Sequence, residues 1–372
     1  MIKLIKNTIL FSSLLFVFCV NSIYPHPAWG IVVDSHKQVY FSDLETIYKI
    51  DSQGKLSIFR AGISGRHVHD LSIDAEDNIY GLDNSYNPQT QKFPRSIWKM
   101  SPKGEFSFIV PMTNNLPLGM SIWRDSAGNT YSVEPYNNER RETKIIKRTP
   151  DGKTSLFAGG KYGYLDGQKD KAEFGVITDM AFGKDNAIYL TNDDKIRKID
   201  NTGTVTTIFR AAVPTKNRQN PETSSRLFGL DVDKQNNVFA ADFDNSRLLK
   251  ISSDGTVSTI LNSEKDWTPI GVAASGDEVY VLEGRPFSSA QHTGNRVLKI
   301  SADGKSTVIA NLEDANKTGN LSNTNNNSLL KTNNLVSTGK FAYDKSQLIL
   351  LSIIGAIIAG FAAFFVLVKK KY

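Results

Sequence analysis

The sequence predicts an all-β fold, a six-bladed β-propeller whose blades are four-stranded antiparallel sheets around a central axis. The first observation is a repeat, in which a lysine and a following glycine turn recur six times. The six glycines, 50, 48, 51, 52 and 49 residues apart, are Gly54, Gly104, Gly152, Gly203, Gly255 and Gly304. A period of about 40 to 50 residues is typical of units that bury their apolar faces only by stacking on one another. The second observation is that short β-branched and aromatic runs fill each unit, without a long apolar stripe of helical period.

The fifth unit shows how the four strands are assigned. Its apolar runs are separated by polar turns, and Asp254-Gly255 is typical of a hairpin turn. The runs are Leu230 to Val232, Val238 to Ala241, Leu248 to Ile251 and Val257 to Leu261. In the first and last units all four strands are contiguous in sequence, so we expect the ring to close without exchange of a terminal strand. Three longer segments, residues 84–95, 134–143 and 284–295, are predicted to connect second to third strands.

The propeller is predicted to occupy residues 23–312, and both ends of the chain lie outside it. Basic residues before an apolar run at 9–20, with small residues just before position 23, predict a signal peptide at residues 1–22. An uncleaved membrane anchor is the alternative. Residues 313–347 are rich in Asn, Ser and Thr, and they are predicted to form a flexible stalk.

The C-terminal end predicts a transmembrane helix. Residues 348–368 are 21 mostly apolar residues without a charge, and the basic tail 369–372 follows them. About 20 apolar residues cross a bilayer, and a lysine cluster stays on the cytoplasmic side. We therefore expect a single-pass cell-membrane protein with an extracellular propeller. Leu335 to Gly339 resembles a sortase cell-wall sorting signal, except that Val336 replaces the proline; a chance match in the stalk is the alternative.

Charge and cysteine content exclude several classes of protein. The net charge is +6, but the lysines at positions 3, 6, 369, 370 and 371 leave only +1 for the remainder, so we expect no nucleic-acid partner. The single cysteine, Cys19, lies in the predicted signal peptide, which leaves no disulfide in the mature domain. The sequence motifs of serine hydrolases, P-loop proteins and dinucleotide-binding domains are missing.

Two segments resemble parts of known repeat proteins. Phe157 to Gly167 with Ala172-Glu173-Phe174, and Val238 to Asp242 with Asn245 to Ile251, are similar to bacterial NHL-repeat proteins. The resemblance spans about residues 28 to 310 and implies a six-bladed propeller of the NHL, SMP-30/gluconolactonase-like group. It implies no single function, because propellers include lyases, lactonases, scaffolds and receptors.

In a propeller blade, the first strand begins and the second strand ends on one face near the axis, which forms a funnel. The residues predicted to end the six second strands, called the acidic ring below, are Asp43, Asp83, Glu134, Asn192, Asp242 and Glu283. Either these side chains cap turns and pair with arginines such as Arg247 and Arg296, or they bind a hard cation or a cationic or polyhydroxylated ligand. Trp29 and Phe228 would then supply apolar walls for the ligand.

The starts of the first strands test an enzymatic function. In gluconolactonase-like propellers, the residue before the first glycine of particular blades supplies a metal ligand, as the resemblance implies. The corresponding residues here are Trp29, His69, Leu118, Thr178, Phe228 and Ile270. Four of them are apolar and cannot coordinate a metal, so a lactonase-type calcium site is not expected. His69, with Asp70 and Asp179 that replace the glycine in two blades, is the remaining candidate metal site; loop histidines and capping aspartates are the alternative.

Two functions from different classes are compatible with these residues. The first is a membrane-anchored extracellular propeller that binds a carbohydrate, a peptide or a surface protein at its funnel face and requires no cofactor. The alternative is a metal-dependent hydrolase or lyase of the SMP-30/gluconolactonase or amidating-lyase type, with Ca²⁺ or another divalent cation. The apolar residues at the strand starts favour the binding module, and no catalytic residue is assigned.

Overall fold

Six antiparallel sheets follow one another along the chain, and each forms one blade. The computed structural model describes residues 28–87, 89–116, 119, 121–134, 142–212, 225–285, 294–318 and 322–323. Four strands per blade are hydrogen-bonded in sequence order from the axis outwards. The predicted all-β propeller with six four-stranded blades is confirmed.

The first three blades are formed by residues 31–161. Blade 1 consists of β1 (Ile31–Val33), β2 (Val39–Ser42), β3 (Ile47–Ile50) and β4 (Leu56–Arg60). Blade 2 consists of β5 (Arg66–His67) and β6 (Leu71–Ile73), which both pair with β7 (Ile79–Ser85), then β8 (Arg95–Met100) and β9 (Phe106–Thr113). Blade 3 consists of β10 (Trp123–Arg124), β11 (Thr130–Val133), β12 (Glu142–Arg148) and β13 (Thr154–Lys161).

The last three blades repeat this order, with one addition in blade 4. Blade 4 consists of β14 (Gly167–Gln168), which pairs with the outermost strand, then β15 (Ile177–Phe182), β16 (Ile188–Asn192), β17 (Lys195–Ile199) and β18 (Thr204–Arg210). Blade 5 consists of β19 (Leu227–Val232), β20 (Val238–Asp242), β21 (Arg247–Ile251) and β22 (Val257–Asn262). Blade 6 consists of β23 (Thr268–Ser275), β24 (Glu278–Gly284), β25 (Asn295–Ile300) and β26 (Ser306–Asn311). The three long segments do connect second to third strands.

The repeated lysine and glycine have separate structural roles. The glycines all adopt φ between +81° and +93° in the turn that joins the third and fourth strands, a conformation that costs glycine little. Each lysine lies opposite the aromatic residue of the second strand, as Lys49 lies opposite Tyr40. In five blades the lysine amine sits 5.2 to 5.8 Å from the ring centroid. The repeat is therefore a cross-strand pair followed by a left-handed turn.

The apolar core is divided into clusters that lie between neighbouring blades. Tyr40 and Phe59 of blade 1 pack with Trp98 of blade 2, and Ile145 of blade 3 packs with Leu190 of blade 4. The first strands contact one another at five of the six blade junctions, and the contact of β23 with β1 joins the last blade to the first. Because each apolar face is covered by the next blade, a single unit could not be stable alone.

The predicted stalk begins later than residue 313. Residues Leu312–Thr318 form helix α1, in which Leu312 is buried in the core between blades 6 and 1. The side chain of Asn311 accepts a hydrogen bond of 3.0 Å from the Glu313 amide, which caps the helix. β27 (Ser322–Asn323) then pairs in parallel with β4. The polar composition of this stretch did not predict α1 or β27, because contacts with distant blades stabilise these elements.

The predicted membrane and targeting segments are outside the described part of the chain. These are the signal peptide at residues 1–22, the sorting sequence Leu335 to Gly339 and the span at 348–368. Within the described ranges, no helix has both the length and the apolar character needed to cross a bilayer. The transmembrane helix therefore stays a prediction.

Candidate functional site

The strand register defines two faces of the propeller. Leu227, at the start of a first strand, pairs with Asp242 at the end of a second strand, so both lie on the funnel face. The turns between first and second strands lie on the opposite side, which we call the turn face. Both faces lead towards the axis, where the six first strands converge.

Three members of the acidic ring are fully buried in ion pairs with arginines. Asp83 accepts two hydrogen bonds of 2.9 and 2.8 Å from Arg60, which ends the outermost strand of the preceding blade. Asp242 and Glu283 accept hydrogen bonds of 2.8 and 2.6 Å from the Nε atoms of the arginines at positions 247 and 296. A ligand at these carboxylates would have to displace an arginine.

The other three members of the ring have different surroundings. Asp43 accepts hydrogen bonds of 2.8 Å from the Thr46 amide and from the Tyr48 hydroxyl, which is the turn-capping role. Asn192 accepts a hydrogen bond of 3.1 Å from Arg197. Glu134 is only half-buried and lines a cavity on the funnel face. Five members of the ring therefore make separate contacts rather than forming one shared cage, and Glu134 is the member that lines the cavity.

The funnel-side cavity has a volume of about 280 Å³. Its walls combine two indole rings with an arginine, a glutamate and hydroxyl groups, and they include Trp29, Trp123, Arg95, Glu134, Thr143 and Thr178. Phe228 is not among its lining residues. Its ring instead packs in the core at 5.9 Å from the Trp29 ring and 4.9 Å from the Phe243 ring. Of the two predicted aromatic walls, the structure therefore places Trp29 at the cavity.

A second cavity of about 250 Å³ lies on the axis, between the first strands, and we call it the axial cavity. Its lining includes Asp70 of blade 2, Asp179 of blade 4 and Asp231 of blade 5. All three side chains are on first strands or directly before one, where the propeller brings residues more than 50 positions apart into one space. The structure thus brings together two of the three predicted metal ligands, Asp70 and Asp179.

Asp179 is held by three N–H donors from three blades. Its Oδ1 accepts hydrogen bonds of 2.8 Å from Trp123 Nε1 and 2.7 Å from the Met180 amide. Its Oδ2 accepts a hydrogen bond of 2.6 Å from the Leu230 amide. Both oxygens are therefore used, and the side chain links blades 3, 4 and 5 at the axis.

Asp70 differs from Asp179 because half of its carboxyl group is unsatisfied. Its Oδ1 accepts a hydrogen bond of 2.8 Å from the Leu71 amide. Its Oδ2 is buried and makes no hydrogen bond of good geometry with a described residue, and the same holds for Trp29 Nε1 and Ser72 Oγ. A buried polar atom without a partner is costly, so these atoms mark a place for a ligand or an ordered water.

The two carboxyl groups are close enough for each to change the pKa of the other. Burial raises the pKa of Asp70 to about 7. Burial and the neighbouring Asp70 carboxyl hold the pKa of Asp179 well above its usual range. Two acids in contact cannot both ionise without strong repulsion, so one proton is retained on the pair near neutral pH.

His69 lies beside this pair but does not complete a metal shell. Its carbonyl oxygen accepts hydrogen bonds of 2.8 and 2.9 Å from the Trp29 and Gly30 amides, and its ring is 5.6 Å from the Trp29 ring. Among described residues, the single group of three His or carboxylate side chains with ligand atoms within 4.8 Å of one another is Asp34, His36 and Asp77, on the turn face. Calcium takes six to eight oxygen ligands, and the axial residues do not supply them.

Sequence reasoning missed Asp231 and the role of Trp123. Asp231 is inside the first strand of blade 5, where its oxygens accept hydrogen bonds of 2.7 Å from the Val232 and Ala274 amides. Burial raises its pKa to about 6. A carboxylate in the middle of an otherwise apolar first strand was the available signal. The contact of Trp123 with Asp179 crosses 56 positions of sequence and left no local signal.

Comparison with known proteins shows no family for this chain. No protein-family description and no curated protein matches the sequence. Similar solved structures include virginiamycin B lyase from Staphylococcus aureus, with TM-score 0.46, 16% identity and coverage of 76% of this chain and 83% of that one. A gluconolactonase from Xanthomonas campestris has TM-score 0.47, 13% identity and coverage of 70% and 84%. A calcium-binding regucalcin from Agrobacterium tumefaciens has TM-score 0.47, 9% identity and coverage of 71% and 84%. Likeness at this level transfers no activity, and membership of the NHL or SMP-30-like group stays a prediction.

Proposed function

We propose that the propeller is a hydrolase or lyase that acts on a small molecule, with the axial cavity as its active site and Asp70 as the group that transfers a proton. The unsatisfied Oδ2 of Asp70 in that cavity is the observation that supports this proposal. It gives the enzymatic alternative precedence over the binding module favoured from sequence. The metal ligands predicted from sequence were expected on the funnel face. The axial cavity lies deeper, and its candidate reactive groups are a pair of carboxyl groups.

The chemistry follows from the unequal surroundings of the two acids. Asp179 is fixed by N–H donors, so it holds its place. Burial and the neighbouring Asp70 carboxyl raise the pKa of Asp179, so it keeps its proton, and its contact with Asp70 favours the ionised form of Asp70. With a pKa of about 7, Asp70 is present in both protonation states at neutral pH. Such a group can accept a proton from water or from carbon and then deliver it to a leaving group. The indole N–H of Trp29 is positioned to donate to a substrate oxygen.

The D70N variant provides the test of this function. A panel of lactones and esters would be screened for ring opening or hydrolysis with the purified propeller. For any substrate found, we expect D70N to lower kcat by at least about 100-fold, because general acid–base catalysis contributes about 10² to 10⁴. D254N, in an exposed turn, is the matched control and should keep full activity. A D70N enzyme with unchanged kcat and pH profile would overturn the assignment.

A binding module at the funnel face is the second candidate function. Beside the funnel-side cavity, the loop between β7 and β8 carries Tyr86 and Phe93, which are 49% and 53% exposed with ring centroids 5.0 Å apart. Exposed aromatic rings next to hydroxyl and carboxylate groups suit a carbohydrate, and a peptide or a surface protein is the wider class. On a glycan array, we expect the wild type to bind and both Y86A and E134Q to lose the signal. Equal binding by all three proteins would contradict this site.

We also propose that the propeller is displayed outside a cell membrane by the span at residues 348–368. The lysines after this span support the orientation, because basic clusters resist translocation. Protease added to intact cells should remove the propeller, while an epitope at the C-terminus should survive. Protection of the propeller would reverse the orientation. If the sorting sequence is used, the mature C-terminus in cell-wall fragments should be Thr338.

A further inference from the structure

A wide groove lies on the turn face of the propeller, away from the funnel. This groove has a volume of about 960 Å³ and runs along the turns between the first and second strands of blades 2 to 5. Tyr131, Phe157 and Phe182 contribute aromatic surface to it, with the Tyr131 ring 5.1 and 5.2 Å from the other two. A groove of this size with aromatic walls is large enough for a small organic ligand.

The groove adjoins the axial cavity, because Ile73, Arg124 and Phe182 line both spaces and are only partly buried. On the funnel side, Trp29 and Trp123 line both the axial cavity and the funnel-side cavity, and they are only 3% and 5% exposed. The side chains that separate Asp70 from solvent are therefore more exposed on the turn face than on the funnel face.

Arg124 is the basic residue at the junction of the two spaces. Its guanidinium lies 4.5 Å from the Tyr80 ring centroid. A Cβ atom at Gly128 would approach its Nη2 to 2.9 Å, so the glycine leaves the space that the guanidinium occupies. Within the described ranges Arg124 forms no ion pair, whereas Arg60, Arg247 and Arg296 each pair with a buried carboxylate. The guanidinium is thus held in place without an acid to neutralise it.

We propose that the turn-face groove is the substrate entrance and that Arg124 binds a carboxylate group of a substrate with an apolar body. This inference rests on the proposed function, because it orients the far end of the substrate towards Asp70. The planar fork of an arginine suits a carboxylate, and the aromatic residues of the groove suit the apolar body. The groove lining holds five acids and four bases, so the attraction is local to Arg124 and not a field of the whole surface.

Benzoate is a suitable probe, because it is an aromatic carboxylate of the proposed class. In calorimetric titrations we expect wild-type protein to bind benzoate with millimolar affinity and R124Q to bind at least about tenfold more weakly, since charge-assisted hydrogen bonds contribute about 1.5 to 3 kcal/mol. R95Q is the matched control, because Arg95 lines the funnel-side cavity and also lacks an ion pair among the described residues. R95Q should bind like the wild type. The proposal would be overturned if R95Q lost benzoate binding while R124Q kept it, or if the wild-type protein did not bind benzoate.

A second measurement avoids dependence on the folding of a variant. Phenylglyoxal modifies accessible arginines, and the modified peptide can be quantified by mass spectrometry in the wild-type protein. Benzoate should protect the Arg124 peptide and leave the Arg95 peptide unprotected; the reverse pattern would contradict the proposal. D70N should bind benzoate as the wild type does. If D70N abolishes catalysis but benzoate neither binds nor protects, the proposed function stands and only this inference fails.

Discussion

Replacing Arg60 with methionine is expected to lower the free energy of unfolding by about 3 to 5 kcal/mol, the usual cost of leaving one partner of a buried ion pair alone. Arg60 is 5% exposed and Asp83 is completely buried. Their carboxylate and guanidinium meet through two parallel hydrogen bonds that join blade 1 to blade 2. The Trp98 indole, which donates to Asp83 at 3.1 Å, cannot compensate a full charge. Urea denaturation of R60M at neutral pH measures the loss.

An exposed pair supplies the control for this prediction. Arg226 and Asp244 form a similar contact of 2.7 Å, but the arginine side chain is 55% exposed. R226M should therefore lower the free energy of unfolding by less than about 1 kcal/mol, because solvent screens the attraction between Arg226 and Asp244. The double variant R60M/D83N removes both buried charges and should recover part of the R60M loss. If R60M lowers the free energy of unfolding no more than R226M does, the Arg60–Asp83 pair does not stabilise the junction between blades 1 and 2.

The second large effect is a loss of stability as the pH rises from about 4 to about 7. The pKa of Asp70 is about 7 in the folded protein against an ordinary value of 3.8. Between these values the folded state binds more protons than the unfolded state, so stability falls with rising pH. The stabilisation that comes from the raised pKa of Asp70 is fully present below pH 4 and lost above pH 7. A pKa difference of about three corresponds to about 4 kcal/mol.

The comparison of wild type with D70N tests the titration of the Asp70–Asp179 pair, because removing the Asp70 charge also removes a cause of the raised pKa of Asp179. Asp231 acts in the same direction, with its pKa raised to about 6, whereas hydrogen bonds lower the pKa of Asp74 and Asp194. Asparagine keeps the acceptor for the Leu71 amide but cannot ionise. Chemical denaturation at pH 5 and pH 8 should therefore show D70N gaining stability relative to wild type at the higher pH. Parallel curves for the two proteins would show that Asp70 does not titrate in this range.

The strands could be predicted from sequence because their signals are local. The turn glycines, the lysine opposite an aromatic residue and the alternation of apolar positions are all read within about 20 residues. The predicted strands of the fifth unit agree with β19 to β22, and the long second-to-third-strand loops are where the sequence placed them. The exception, α1, is a short polar helix whose order comes from Leu312 and from Arg285, which pairs with Glu313 at 2.9 Å.

The candidate site could be predicted only in part, because its contacts cross blades. Asp70 and Asp179 were identifiable as charged residues where a glycine was expected, but not as a pair in contact. Asp83 was identifiable at a strand end, whereas its partner Arg60 lies 23 positions away in another blade. Arg124 had no sequence signal, because its importance depends on its position between the turn-face groove and the axial cavity.

By itself the sequence determined the number of blades, the four-strand unit, the turns and the residues that face the axis. These follow from hydrogen-bonding and packing preferences that repeat with each unit. Only the tertiary structure decided which carboxylates are neutralised by arginines and which three acids line the axial cavity. Those properties depend on burial and on distances between groups from different blades. Ring closure sets both, because it brings six separate first strands to one axis.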